Sequence, residues 1–141
     1  MLSRLSAIVI RVAIFCVAVP LSAHHAVTAE FDQNRPITFK GKVKAVEWAN
    51  PHIYTQVEVT DAAGKVTVYR VEGAAPNSLF RQGWRPDTLK VGEEVTVTGV
   101  RAKNESSTNI GLATITTADG KKLVAPGAIR PDAAPQQETP R

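Results

Sequence analysis

The sequence predicts an all-β protein with one short helix, and three observations support this prediction. Apolar and polar residues alternate with a period of two in several separate segments after residue 36. Turn-forming residues separate these segments, as in "DAAGK" at residues 61–65 and "DG" at residues 119–120. Only one segment, "PNSLFRQG" at residues 76–83, has helical character.

The first predicted strand begins at Ile37, where "ITFKGKVKA" places apolar residues and Gly41 at every second position. The apolar phase then shifts by one residue, because Val46 and Trp48 continue the series out of step. One extra residue in a long strand predicts a bulge, which bends the strand around a barrel corner. Pro51 has no N–H to donate to a ladder, so the strand should end before "NPH".

The next two strands are predicted in "IYTQVEVT" at residues 53–60 and "VTVYRVE" at residues 66–72. Tyr54 falls on the polar face of the predicted strand at residues 53–60. In the helical segment, Pro76 suits the first turn, Leu79 and Phe80 provide an apolar side, and Gly83 is a stop signal.

The remaining strands are predicted in "EEVTVTGV", with Val95 and Val97 on one face, and in "NIGLATITT". The "DG" turn then allows a short return through Leu123 and Val124. Three strands, a helix and two strands match a five-stranded Greek-key barrel of the oligonucleotide/oligosaccharide-binding (OB) type, and an antiparallel β-sandwich is the alternative. Barrels of this type bind through strands two and three and the flanking loops, where "WANPH" falls.

The amino-terminal residues have the layout of a secretory signal. Arg4 and Arg11 precede an uncharged stretch that is too short to span a bilayer, and small residues follow it. Cleavage after Ala23 makes His24 the first residue, whereas cleavage after Ala29 removes both amino-terminal histidines. We therefore expect a signal peptide at 1–23, one domain at 24–125 and a disordered tail rich in Pro, Ala and Gln at 126–141.

This reading places the protein in the periplasm of a Gram-negative bacterium or outside the cell, with no membrane span after cleavage. The signal contains the only cysteine, Cys16, so the mature chain has neither disulfides nor thiolate chemistry. Removing Arg4 and Arg11 lowers the Lys plus Arg count from 17 to 15 against 13 acidic residues, a net charge of +2. So small an excess, without a long basic run, argues against nucleic acid as a partner.

All three histidines, His24, His25 and His52, lie outside the predicted strand interiors, and imidazole suits copper and zinc. If His24 is the first residue, its α-amine and ring nitrogen can chelate one metal ion. A second imidazole, from His52 or from His25, would complete a three-nitrogen arrangement that favours copper. Glu30 and Asp32 are candidate oxygen ligands or partners of the ligands. The simpler interpretation is that the amino-terminal pair is solvated and that His52 bonds a loop carbonyl.

Aromatic residues near the same loop suggest a second kind of site. Trp48 and Tyr54 can stack on a sugar or another planar ligand, although Trp48 and Trp84 also suit packing against the core. Arg81 and Arg85 can hold an anion or pair with the carboxyl end of the helix. No catalytic motif is present: the sequence contains neither a nucleophile elbow nor H-E-x-x-H nor a phosphate-binding glycine loop.

The chain resembles a family of small exported bacterial proteins known only as a domain of unknown function. The resemblance rests on "AHHAVTAEFD", "GKVKAVEWANPH", "GAAPNSLFRQGW" and "LKVGEEVTVTGVRAK". It covers the mature chain up to about Val124, with Ala26 where many relatives have serine. It implies export, a compact β domain and a set of characteristic positions: His24, His25, Trp48, Asn50 and His52. Asn50 joins Trp48 and Tyr54 as a candidate ligand-binding residue on this basis.

Two hypotheses follow. The leading one is a periplasmic binding module, with copper or another divalent metal at His24, His25 and His52 and no other cofactor indicated. The alternative is an accessory module that binds a protein or saccharide partner on the barrel face, for which the histidines are incidental. Either hypothesis fits the sequence better than an enzyme, and a small ligand, a metal or a periplasmic protein remains the expected partner.

Overall fold

Six strands and one short helix make up the part of the chain that the computed structural model describes, residues 29–125 and residue 128. In chain order they are β1 (Phe31–Glu47), β2 (Tyr54–Thr60), β3 (Val66–Glu72), α1 (Pro76–Arg81), β4 (Glu94–Ala102), β5 (Asn109–Thr117) and β6 (Lys122–Val124). The all-β prediction is confirmed, as are the helix between the third and fourth strands and the short return strand at Leu123 and Val124.

The strands form one sheet that closes on itself. Their order is β3-β2-β1-β4-β5-β6, and every neighbouring pair in it is antiparallel. An additional parallel pairing joins β3 to β5 and closes the first five strands into a ring, with Arg70 opposite Asn109 and Val71 opposite Ile110. A single closed sheet is the arrangement of the predicted OB-type barrel and not that of the alternative two-sheet sandwich.

The predicted bulge in the first strand is present, and it lies slightly earlier than the apolar phase indicated. Val43 pairs with Val57 and Ala45 pairs with Gln56, which leaves Lys44 as the extra residue. Ala45 therefore belongs to the outer face of the barrel with Gln56, although the alternation assigned it to the apolar face. An alanine is small enough for either face of a sheet, so Ala45 does not show where the apolar–polar alternation of β1 shifts.

The strand also begins six residues before the predicted start at Ile37. Phe31 pairs with Ala102 of β4, and an irregular stretch separates this pair from the regular ladder that begins at Pro36. The alternation did not indicate this extension, because residues 32–35 carry mostly polar side chains and only Phe31 is buried. β1 ends at Glu47, before the "NPH" sequence, as predicted.

The barrel interior is filled by buried side chains from every strand, and two residues of the helical segment join this core. Leu79 of α1 is fully buried and Trp84, just after the helix, is 1% exposed. Phe80, the other residue of the predicted apolar side, is 41% exposed and lies outside the core. The fully or almost fully buried core residues are Val43, Ile53, Val57, Val71, Ala74, Leu79, Trp84, Leu89, Val95, Val97, Ile110, Ala113, Ile115 and Leu123.

Several sequence predictions concern residues that the structure does not describe. The signal at 1–23, both amino-terminal histidines and, apart from Ala128, the tail at 126–141 lie outside the described residues. Within residues 29–125, none of the helices is long and apolar enough to cross a bilayer.

Leu79 should be essential for stability because it joins the helix to the barrel core. Replacing it with alanine leaves a cavity in a fully buried position, so Leu79→Ala should lower the free energy of unfolding by about 2–5 kcal/mol. Asn77→Ala, at an exposed position of the same helix, should change it by less than about 0.5 kcal/mol. Urea denaturation followed by tryptophan fluorescence measures both variants. Equal, small effects would contradict the assigned packing of the helix.

Candidate functional site

The loop between β1 and β2 lies directly against the end of β3. The backbone N–H of Ile53 donates to the carbonyl of Ala74 (3.2 Å), and that of Gly73 donates to the carbonyl of Ile53 (2.9 Å). Glycine is needed for this approach, since a Cβ at Gly73 would lie 2.6 Å from Cγ1 of Ile53. These bonds place His52, which precedes Ile53, beside Glu72, which precedes Gly73.

His52 and Glu72 form a close pair. Nδ1 of His52 lies 2.5 Å from Oε1 of Glu72, and the two side chains are 37% and 18% exposed. The simpler sequence interpretation gave His52 a carbonyl partner, whereas its partner here is a carboxylate. When Nδ1 donates to this carboxylate, Nε2 is left without a proton in the neutral ring, and it has no partner among the described residues. The second ring nitrogen, Nε2, is thus directed away from the carboxylate of Glu72.

A row of polar residues crosses the outer face of the barrel next to this pair. Glu47 of β1 lies opposite Tyr54 of β2, which lies opposite Glu72 of β3. Directly opposite residues share one face of a sheet, and the following residue in β2 and the preceding one in β3, Thr55 and Val71, are buried inside the barrel. Tyr54 therefore lies on the outer face, with a carboxylate on either side.

Arg70 covers the tyrosine ring in this row. Its guanidinium carbon lies 3.4 Å from the centroid of Tyr54, within the range of a cation–π contact. Arg70 also donates to Oε2 of Glu47 (3.2 Å), and the side chain of Gln56 donates to Oε1 (3.1 Å). The Gln56 hydrogen bond, followed by that from Arg70, lowers the pKa of Glu47, so this carboxylate stays ionised.

Tyr54 responds to the negative charge around it. Burial of its hydroxyl contributes most to raising its pKa, and the carboxylate of Glu72 contributes next. The charge of Glu30 acts in the same direction, while Arg70 opposes both. The phenol is therefore close to Glu72 on one side and within electrostatic range of Glu30, the residue just before β1.

Glu30 is held at this end of the barrel by its own hydrogen bonds. Its carboxylate accepts from Nδ2 of Asn109 (3.2 Å), and its carbonyl accepts from the backbone N–H of Lys103 (2.9 Å). Asn109 pairs in turn with Arg70 where β5 meets β3. The chain thus enters the barrel on the side that carries Tyr54, Glu72 and His52.

The structure separates the other predicted site residues. Trp48 packs against the core and meets Phe80 edge-on, with ring centroids 5.6 Å apart. Its indole N–H is buried and has no partner within residues 29–125. Asn50 is exposed, in the loop that continues through a cis peptide bond to Pro51. Of the three candidate ligand-binding residues, only Tyr54 belongs to the polar row that includes Glu72.

The remaining predicted roles concern charged residues. Asp32 accepts a hydrogen bond from the backbone N–H of Asn34 (3.0 Å), within the irregular stretch at the start of β1. Arg85 donates to the carbonyls of Phe80 (3.2 Å) and Trp84 (2.7 Å), which is the predicted pairing with the carboxyl end of the helix.

Sequence patterns did not identify Glu72 as a site residue.

The residues that the structure describes contain no group of three or more His, Cys, Asp or Glu side chains arranged to hold a metal ion. The His52–Glu72 pair therefore provides one oriented nitrogen, and further ligands would have to come from elsewhere.

The titration of Tyr54 tests the geometry of this row. The neutral phenol is favoured beside Glu72, so removing that charge in Glu72→Gln should lower the pKa of Tyr54. In a Tyr69→Phe background, which leaves one tyrosine, the ultraviolet absorbance of tyrosinate against pH reports this group directly. Glu58→Gln, at an outer position of β2 that pairs with Lys44, should leave the midpoint unchanged.

The same shift has a consequence for stability. A pKa raised in the folded state contributes stability that is present below the unfolded-state value and is lost as pH rises through the folded-state value. The free energy of unfolding should therefore decrease by this contribution as pH rises through the folded-state pKa of Tyr54.

In the titration experiment, an absorbance midpoint that does not move in Glu72→Gln would show that Glu72 does not lie beside the phenol.

No curated protein and no solved structure matches the chain. The model of the family of unknown function DUF6152 matches residues 12–112, which include the first four strands, His52 and Glu72. The match covers well over half of the sequence, and the chain belongs to the DUF6152 family.

Proposed function

We propose that this protein is an exported metal-binding module that holds copper(II) between His52 and the amino-terminal histidines His24 and His25. The observation that carries the proposal is the His52–Glu72 pair, in which Nδ1 is bound to a carboxylate and Nε2 has no partner within residues 29–125. Histidine ligands of metals commonly donate the N–H of their second ring nitrogen to a carboxylate, which fixes the orientation of the ring. Glu72 stands in that relation to His52.

The rest of the ligand set comes from the amino-terminal segment in this proposal. Cleavage after Ala23 gives His24 a free α-amine, which can chelate copper together with its own imidazole. His52 supplies the third nitrogen, and His25 is the local substitute. Nitrogen donors of this kind suit copper(II), which heads the affinity order of divalent first-row metals. Glu30, six residues after His24 in the sequence, lies at the side of the barrel that carries Tyr54 and Glu72.

The exported location supports this choice of ligands. The mature chain has no cysteine after cleavage at either predicted site, so imidazole and amine groups are its strongest donors for a borderline metal. On the outer face of β1–β3, Arg70 compensates the charge of Glu47, and the carboxylate of Glu72 beside His52 favours a cation over an anion there.

Copper titration of the processed protein tests the proposal. Protein that begins at His24 should bind one equivalent of copper(II), as followed by calorimetry and by the visible absorption of the complex. His52→Ala should lower the affinity by at least about tenfold, since a ligand from a fixed position is lost. Asn50→Ala, an exposed change in the same loop, is the matched control and should bind as the wild type does.

Glu72→Ala tests the orienting carboxylate separately from the proposed ligand His52. It retains the imidazole and removes the group that orients it, so the affinity should fall by about 10–100-fold. Wild-type affinity in His52→Ala would refute the shared site and leave only a terminal His-His chelate. Intact mass of the same preparation identifies its first residue, and a mature chain that begins at Glu30 would refute the proposal independently.

A second candidate function is docking of a protein or saccharide partner on the outer face of β1–β3. The Arg70–Tyr54 stack favours it, because a guanidinium over an aromatic ring provides a flat polar surface with several N–H donors. Capture of one partner from a periplasmic extract should then be equal for the wild type and a variant without histidines, and weaker for Arg70→Ala. A partner that is lost with the histidines would contradict this function.

A further inference from the structure

The strand β3 is paired fully along one edge and only in part along the other. It pairs with β2 over its whole length, from Val66 to Glu72, without a bulge. On the opposite edge, β5 pairs with it only at Arg70 and Val71. Residues 66–69 therefore form an open edge of the sheet in the part of the chain that the structure describes.

The backbone groups of Val66 and Val68 point out of this open edge. Arg70 donates its N–H to the carbonyl of Thr108 on the β5 side (3.1 Å). The backbone groups of successive residues in a strand point to opposite edges, so Val68 and Val66 face the same side as Arg70. Neither valine has a backbone hydrogen bond on that side among residues 29–125. Their N–H and C=O groups are thus available to another strand.

The side chains of the open edge do not oppose pairing with another strand. Residues 66–69 read Val-Thr-Val-Tyr, which are all strong strand formers, and they include neither a charge nor a proline. The register with β2 is regular along them. Val66 is 52% exposed, so an apolar side chain lies in solvent at this edge. A regular, uncharged edge with an exposed apolar residue is a template for strand addition.

The same segment is complementary to itself. A two-fold axis at Thr67 places Val66 opposite Val68 of a second copy, and Val68 opposite Val66 of that copy. Both valine pairs then exchange backbone hydrogen bonds, and valine packs against valine on the outer face. Residues 66–68 carry no charge, so the two copies bring no like charges together along the contact.

The length of the open edge also fits this register. Each β3 begins at Val66, directly after the turn at residues 61–65, so the added strand starts opposite Val68. Pairing with β5 begins two residues further on, at Arg70. The turn of the second copy therefore begins where β5 occupies the edge.

We propose that the open edge of β3 is a self-association surface, on which a second copy of this chain pairs through its own residues 66–68. The two sheets become continuous across the two-fold axis. This inference is independent of the proposed copper site. The contact is short, and it therefore belongs to the class of weak, reversible interfaces.

Sedimentation equilibrium of the protein in the presence of a chelator tests this inference without any contribution from bound metal. The weight-average mass should rise from that of one chain toward that of two between about 10 µM and 1 mM, the range of a weak interface. Val66→Lys places a charge on the edge and should raise the dissociation constant at least about tenfold. Val91→Lys is the matched control, since Val91 is 74% exposed in the turn before β4, and it should associate as the wild type does.

Single cysteines test the register of the two strands. They are introduced into a Cys16→Ala background, which contains no other cysteine. Thr67→Cys lies opposite its counterpart in a non-hydrogen-bonded pair, with Cα atoms about 4.5 Å apart and within disulfide range. Lys65→Cys lies about 14 Å from its counterpart, four residues along the strand. Mild oxidation should therefore link Thr67→Cys into covalent dimers and leave Lys65→Cys unlinked.

Circular dichroism confirms that each variant retains the barrel, and two results would overturn the inference. A mass of one chain at every concentration would show that a second copy does not occupy the edge and would leave it to a strand from another protein. A dimer that persists in Val66→Lys, or equal linkage of the two cysteine variants, would place the contact on another surface. Neither result bears on copper binding.

Discussion

The short parallel contact between β3 and β5 is the constraint on which the arrangement of this protein depends. Only two residue pairs, Arg70 with Asn109 and Val71 with Ile110, join these strands. In the open order of the sheet, β3 and β5 are separated by three other strands. Closing the ring brings the end of β3 to the start of β5, and with it Glu72 to the side where the chain enters β1. Hydrogen bonds at Asn109 and Lys103 then hold Glu30 at the same place.

Backbone hydrogen bonds between the first loop and β3 fix the positions of the polar groups on this side of the barrel. The Ile53 and Gly73 hydrogen bonds bring the first loop against β3, and the carboxylate of Glu72 then orients the imidazole of His52. Burial and nearby carboxylates keep the phenol of Tyr54 protonated, while hydrogen bonds from Gln56 and Arg70 keep Glu47 ionised. The outcome is one face with an oriented imidazole and nearby carboxylates, including that of Glu30, the residue before β1.

Local patterns in the sequence predicted the elements well and the site only in part. Period-two alternation located the strands, and the phase change between Val43 and Val46 indicated the bulge, because each is a property of neighbouring residues. Glu72 was missed because its role depends on pairing across β2 and β3. The turn at residues 61–65 sets that register, and following it would have placed Glu72 opposite Tyr54. Helical spacing gave Leu79 and Phe80 one apolar side and did not show that only Leu79 is buried.

The central claim is that His52 and the first residue of the mature chain bind the same copper ion, and a crystal structure tests it most directly. Crystals of the processed protein with one equivalent of copper(II) should give an anomalous difference peak at the copper absorption edge. The account predicts a single peak within bonding distance of both Nε2 of His52 and the α-amine of His24, with Nδ1 still bound to Glu72. A peak bound by the amino terminus alone, with Nε2 of His52 free, would contradict it.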